Sequence, residues 1–156
     1  PAHLVTIADA LEKATVTRKT NPELVLRELA TKLPPRGVVA IVSDLFAPQE
    51  RVLAGVRALR SRGQDVIVFH VLDRDEVEFP FDRMTKFEGL EQIDPLTIDP
   101  KAIRKAYLDV FRDWQSALKK AFVGNGVDYR VVLTDTPLDV VLTTFLALRQ
   151  KHGARR

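Results

Sequence analysis

The sequence contains no cysteine among its 156 residues. That removes disulfide frameworks, thiolate metal sites, cysteine nucleophiles and haem attachment together, and it is compatible with a reducing compartment. Long apolar runs are also missing, since none reaches the roughly eighteen residues of a membrane span. The opening residues show no basic-then-apolar signal pattern, so the expectation is a cytoplasmic chain that is neither secreted nor anchored. Charge of one sign is scarce: 24 basic against 21 acidic side chains leave a formal +3, spread along the chain. A nucleic-acid partner would call for a clustered basic stripe with aromatic platforms, and none is present. There is no Gly-rich phosphate loop, because Gly124-Asn125-Gly126 follows a helical pattern where C-caps belong. No serine sits in a Gly-x-Ser-x-Gly elbow. What remains, 46% hydrophobic and 29% charged, fits one globular α/β domain over residues 1–150 and a basic tail at 151–156.

Periodicity supplies the elements. Leu4, Ile7, Ala8, Leu11 and Ala14 fall at helical spacing. Thr20-Asn21-Pro22-Glu23 then offers a cap, a first-turn proline and an acid ahead of a second helix that ends at Pro34-Pro35-Arg36-Gly37. Val38-Val39-Ala40-Ile41-Val42 is short, continuous and β-branched, the pattern of a strand covered on both faces. A helix over 48–62 and a second strand over 66–72 complete a strand, helix, strand unit. Residues 74–99 read as an excursion of short antiparallel strands and turns, Glu76-Val77-Glu78-Phe79 alternating and a hairpin lying between about Lys86 and Ile98. Asp99-Pro100 caps a long helix that Gly124 and Gly126 end. Tyr107, Phe111 and Trp114 sit at helical spacing on it and are assigned to the core. A third strand covers 127–133, and a closing helix over 137–148 should turn Leu138, Val141, Leu142, Phe145 and Leu146 inward.

Apolar strands separated by helices imply a parallel sheet with helices on both faces. Asp44, Asp73 and Asp135 each follow a strand. Ligands of open α/β sheets bind outside the carboxyl ends of the strands, so this acidic rim is the main functional signal. Asp is also an ordinary turn and cap residue at a strand end, and both readings stay open. His70, with no second histidine or cysteine near it in sequence, reads as a satisfied core residue. Asp73-Arg74-Asp75 has the acid pair of metal-dependent phosphoryl-transfer sites, and equally that of an exposed turn.

Val38-Val39-Ala40-Ile41-Val42-Ser43-Asp44-Leu45 and Arg62-Gly63-Gln64-Asp65-Val66-Ile67-Val68-Phe69-His70-Val71-Leu72-Asp73 carry a resemblance. So do Glu76-Val77-Glu78-Phe79-Pro80-Phe81, Asp99-Pro100, Val127-Asp128-Tyr129 and Thr134-Asp135-Thr136-Pro137-Leu138-Asp139. Together they resemble the bacterial von Willebrand factor A-like family called domain of unknown function fifty-eight. The resemblance implies the C-terminal half of a doubly wound, Rossmann-like sheet. It also implies a protein partner, a MoxR-type AAA+ ATPase, in the assembly of other complexes. The family's fold can carry a metal-ion-dependent adhesion site, onto which Thr20 and the Ser43-Asp44 pair map. The Asp-x-Ser-x-Ser loop of that site is absent from the chain, so at most a weak Mg²⁺ or Mn²⁺ site is expected.

The expected function is therefore a non-enzymatic protein-interaction module. The alternative is a metal-dependent hydrolase or phosphotransferase using Asp44 with Asp73 or Asp135. In the family's sheet the strand over 38–43 would adjoin the missing part, which leaves an apolar edge of the kind that proteins usually cover. That edge should be paired, by a second copy in a homo-oligomer or by rearrangement of residues 4–14.

Overall fold

The chain's uninterrupted β-branched run becomes the first strand of a parallel sheet. The computed structural model describes residues 2–15, 21–87 and 96–153. Strands β1 (Val38–Ser43), β2 (Asp65–Leu72) and β5 (Asp128–Leu133) form a three-stranded sheet in the order β1-β2-β5. Both pairings are parallel, with Val39 beside Val66, Ser43 beside His70, and Val68 beside Tyr129. The short β3 (Thr85–Phe87) and β4 (Leu96–Ile98) pair antiparallel, which is the expected hairpin.

Side-chain alternation gives the sheet two unlike faces. Val39, Ile41, Val66, Val68 and Tyr129 point to one face. Helices α2 (Pro22–Lys32), α3 (Gln49–Ser61) and α5 (Pro100–Gly124) cover it with Leu26, Val52, Val56, Leu59, Leu118 and Phe122. Asn21 caps α2, its side-chain oxygen accepting from the Leu24 amide at 3.3 Å. Gly55 sets how close α2 and α3 come, because a Cβ there would stand 2.7 Å from the Leu26 Cβ. We expect Gly55→Val to cost about 2 kcal/mol by overpacking. Urea unfolding should show this as a lower midpoint with an unchanged slope.

The other face is served by α6 (Leu138–Gly153). Phe145 packs edge-on to Phe69 with ring centroids 5.2 Å apart, and Arg149 pairs with Asp65 and Asp128. The inward set expected for α6 is corrected here. Phe145 is buried and Val141 half-buried, whereas Leu138, Leu142 and Leu146 are 67%, 41% and 55% exposed. A three-stranded sheet is too narrow to cover more of the helix, and Val38 and Val42 on the same side of β1 are bare. Helix α6 also runs past 148 to Gly153, through the start of the expected tail. Helix α1 (Ala2–Lys13) forms as its spacing predicts, with Leu4, Val5, Ile7 and Leu11 all more than half exposed.

A second correction concerns residues 74–78, which form the short helix α4 (Arg74–Glu78) and not a strand. The alternation of Glu76 to Phe79 is overridden by a capping box. Asp73 accepts from the Asp75 amide at 2.9 Å, and the Asp73 amide donates to Glu76 at 2.7 Å.

Candidate functional site

The carboxyl end of β1 turns sharply. Ser43 Oγ accepts from the Leu45 amide at 3.0 Å, and Asp44 Oδ1 accepts from the Phe46 amide at 3.1 Å. Leu45 adopts φ 56°, a left-handed conformation uncommon for a branched residue, and its side chain is buried as an anchor. Phe46 is consequently pushed outward and is 77% exposed.

His70 holds this loop from below. Its Nε2–H donates to the Asp44 carbonyl at 2.9 Å, which leaves Nδ1 to accept from the Tyr129 hydroxyl at 2.5 Å. The ring lies edge-on to Trp114, with centroids 5.2 Å apart. Burial pushes the imidazole below its ordinary value and pushes the Tyr129 phenol up to about 12. Both shifts favour the neutral pair.

Between this loop and the first half of α5 opens a groove of about 850 Å³. Phe46, Ala47, Leu72, Ile103, Val110 and Trp114 form most of its wall, with Asp44 and Glu76 at the border. Tyr107 and Phe111 lie on this wall too, half-buried, and so differ from the core placement expected of them. Isoleucine, tyrosine, valine and tryptophan at 103, 107, 110 and 114 form one helical stripe. Its lower end enters the core and its upper end lines the groove.

The far side of the rim is laced together. Asp73 Oδ2 accepts from the Thr134 hydroxyl at 2.7 Å, and Arg74 bridges Asp135 and Glu78. The Asp75 amide and then the Thr134 hydroxyl lower the Asp73 pKa, and the Arg74 guanidinium lowers that of Asp135. The Tyr107 hydroxyl donates to the Glu76 carbonyl at 3.0 Å, and Arg104 donates to the carbonyls of Glu78 and Phe79. The rim acids therefore serve as caps and struts.

Of the residues mapped to an adhesion-type metal site, Thr20 lies outside the described residues. Ser43 and Asp44 are adjacent, with the hydroxyl 3.4 Å from Oδ1, but both atoms are occupied by amides of their own loop. Among the described residues no group of three or more His, Asp or Glu could hold a cation. The side chains of the described residues do not by themselves fit a Mg²⁺ or Mn²⁺ shell, which needs several oxygen ligands. What the arrangement offers is apolar area bordered by carboxylates. Sequence reasoning passed over Phe46, although a lone aromatic between a strand-end aspartate and Pro48 is a signal that could have found it.

Fold and site together define an α/β protein with a parallel sheet and an apolar groove at the carboxyl edge of that sheet. The sequence model of the family described as "Protein of unknown function DUF58" matches residues 2–117, and the chain belongs to that family. No curated protein and no solved structure matches the chain.

Proposed function

We propose that the chain is a non-enzymatic interaction module that receives a protein partner in the groove between the β1–α3 loop and α5. The observation that carries this reading is Phe46, 77% exposed at the mouth of an apolar groove on a loop locked by His70 and three local backbone contacts. A rigid, solvent-facing aromatic beside a ready-made groove has the character of a binding hot spot. The rim offers little to catalysis: His70 is sealed and uses both nitrogens, and Asp73 and Asp135 are bound to Thr134 and Arg74.

In this reading the sheet is the second half of a von Willebrand factor A-like domain, and the partner is a MoxR-type AAA+ ATPase. Biolayer interferometry between the purified chain and such an ATPase from the same genome tests it. Phe46→Ala should weaken binding about ten-fold, while Asp44→Ala in the presence of a chelator should stay within a few-fold of the parent. Equal binding by the parent and Phe46→Ala, or no binding by either, would sink the proposal. A hydrolytic activity abolished by Asp44→Ala would favour the metal-dependent alternative instead.

A further inference from the structure

Among the described residues, strand β1 lies at the edge of the sheet and pairs only with β2. One side of its backbone is therefore open to another strand. Residues 2–13 form a helix and do not supply that strand. The other edge strand, β5, carries Asp128 and Arg130, the kind of charge that guards an edge. Strand β1 has no charge and no proline, and Val38 and Val42 are 65% and 68% exposed.

The sequence of β1 is nearly symmetric about Ala40: Val38-Val39-Ala40-Ile41-Val42. When a strand pairs antiparallel with its own copy about a two-fold axis normal to the sheet, residues placed opposite each other must share a face. With the axis at Ala40, the smallest side chain meets itself, Val38 meets Val42, and Val39 meets Ile41. Just beyond the paired residues, the same register brings Arg36, in a left-handed turn of φ 64° two residues before the strand, to the end of the partner strand that Asp44 follows. Moving the axis to Val39 sets Val42 opposite Arg36 and Asp44 opposite Pro34. Moving it to Ile41 sets Val38 opposite Asp44 and Arg36 opposite Phe46. Only the Ala40 register matches apolar with apolar and opposite charge with opposite charge.

We propose that β1 pairs antiparallel with β1 of a second copy about a two-fold axis at Ala40, with Arg36 of each copy facing Asp44 of the other. The contact is self-complementary and closed, so it consumes the edge without propagating into a filament. Asp44 also borders the groove, but Val38, Ala40 and Val42 do not line it, so cross-linking at these three positions tests the contact separately from the groove.

The chain lacks cysteine, so single cysteines report the register directly. Ala40→Cys should be captured by a short bis-maleimide as a species of twice 17.6 kDa. Val42→Cys alone should not be, because its copies would stand four residues apart along the strands, about 13 Å. An equimolar mixture of Val38→Cys and Val42→Cys should cross-link. In sedimentation, Arg36→Asp should weaken the dimer about ten-fold, and adding Asp44→Arg should restore it. Efficient capture of Val42→Cys alone would refute the register. A monomer at all concentrations up to millimolar would refute the dimer, whether β1 amides exchange fast or are shielded by another segment of the chain.

Discussion

Replacing His70 with alanine is expected to lower the unfolding free energy by about 3 kcal/mol. The side chain is fully buried, touches Trp114 edge-on, and joins the Asp44 carbonyl to the Tyr129 hydroxyl. Its loss leaves a cavity, and it leaves the buried Tyr129 hydroxyl and the part-buried Asp44 carbonyl without their partner, each at a separate cost in free energy. Tyr129→Phe removes one hydrogen bond with little change of shape and should cost about 1 kcal/mol. Denaturant unfolding followed by the fluorescence of the single tryptophan, Trp114, measures both.

The same pair predicts how stability depends on pH. Burial holds His70 below its ordinary 6.5, so the unfolded chain takes up the proton first as the pH falls. This contribution is complete above about pH 6.5 and declines as the pH drops through that value toward the native one. Tyr129 is pushed from 10.0 up to about 12, so its contribution is complete below pH 10 and declines between 10 and 12 as the unfolded phenol ionises first. The acid-side decline should flatten in His70→Phe and the alkaline one in Tyr129→Phe.

The second large effect concerns binding. Phe46→Asp and Val110→Asp each place a carboxylate on the apolar wall of the groove, from the loop and from α5 respectively. Both residues are exposed, at 77% and 70%, so neither substitution should change stability by more than about 0.5 kcal/mol. A partner that buries this wall would have to desolvate the new charge with no counterion. We expect each variant to lose about a hundred-fold in affinity, close to 3 kcal/mol. Titration calorimetry with the proposed ATPase partner, on variants whose melting curves match the parent, measures the loss. Leu142→Asp on α6 is the control and should bind like the parent.

Much of the fold was legible because its elements are written in different periods. The β-branched runs at 38–43 and 66–72 form parallel strands as their pattern predicts, although one face of β1, with Val38 and Val42, is bare and not covered as expected, and Asp99-Pro100 marks the start of α5 to the residue. Two of the readings that failed did so where a local signal met a stronger one. Alternation over 76–79 suggested a strand, but the reciprocal bonds of Asp73 and Glu76 nucleate a turn of helix. The apolar stripe of α6 suggested burial, but how much of it is buried depends on the width of the sheet it meets, which no periodicity encodes.

The site was legible only in part. The strand-end aspartates do gather on one rim, yet their partners, Thr134, Arg74 and backbone amides, arrive from separate elements. The His70–Tyr129 link spans 59 positions and depends on the pairing of β2 with β5. Phe46 owes its exposure to the left-handed turn at Leu45, a backbone choice that a leucine does not announce.

The most direct test of the groove as a binding face is methyl NMR of the chain, labelled at Ile, Leu and Val, with and without the proposed ATPase partner. Shifts or broadening are expected at Leu45, Leu72, Ile103 and Val110, with Leu142 and Leu146 of α6 unmoved. Perturbation confined to α1, β1 or α6, with Ile103 and Val110 unchanged, would contradict it.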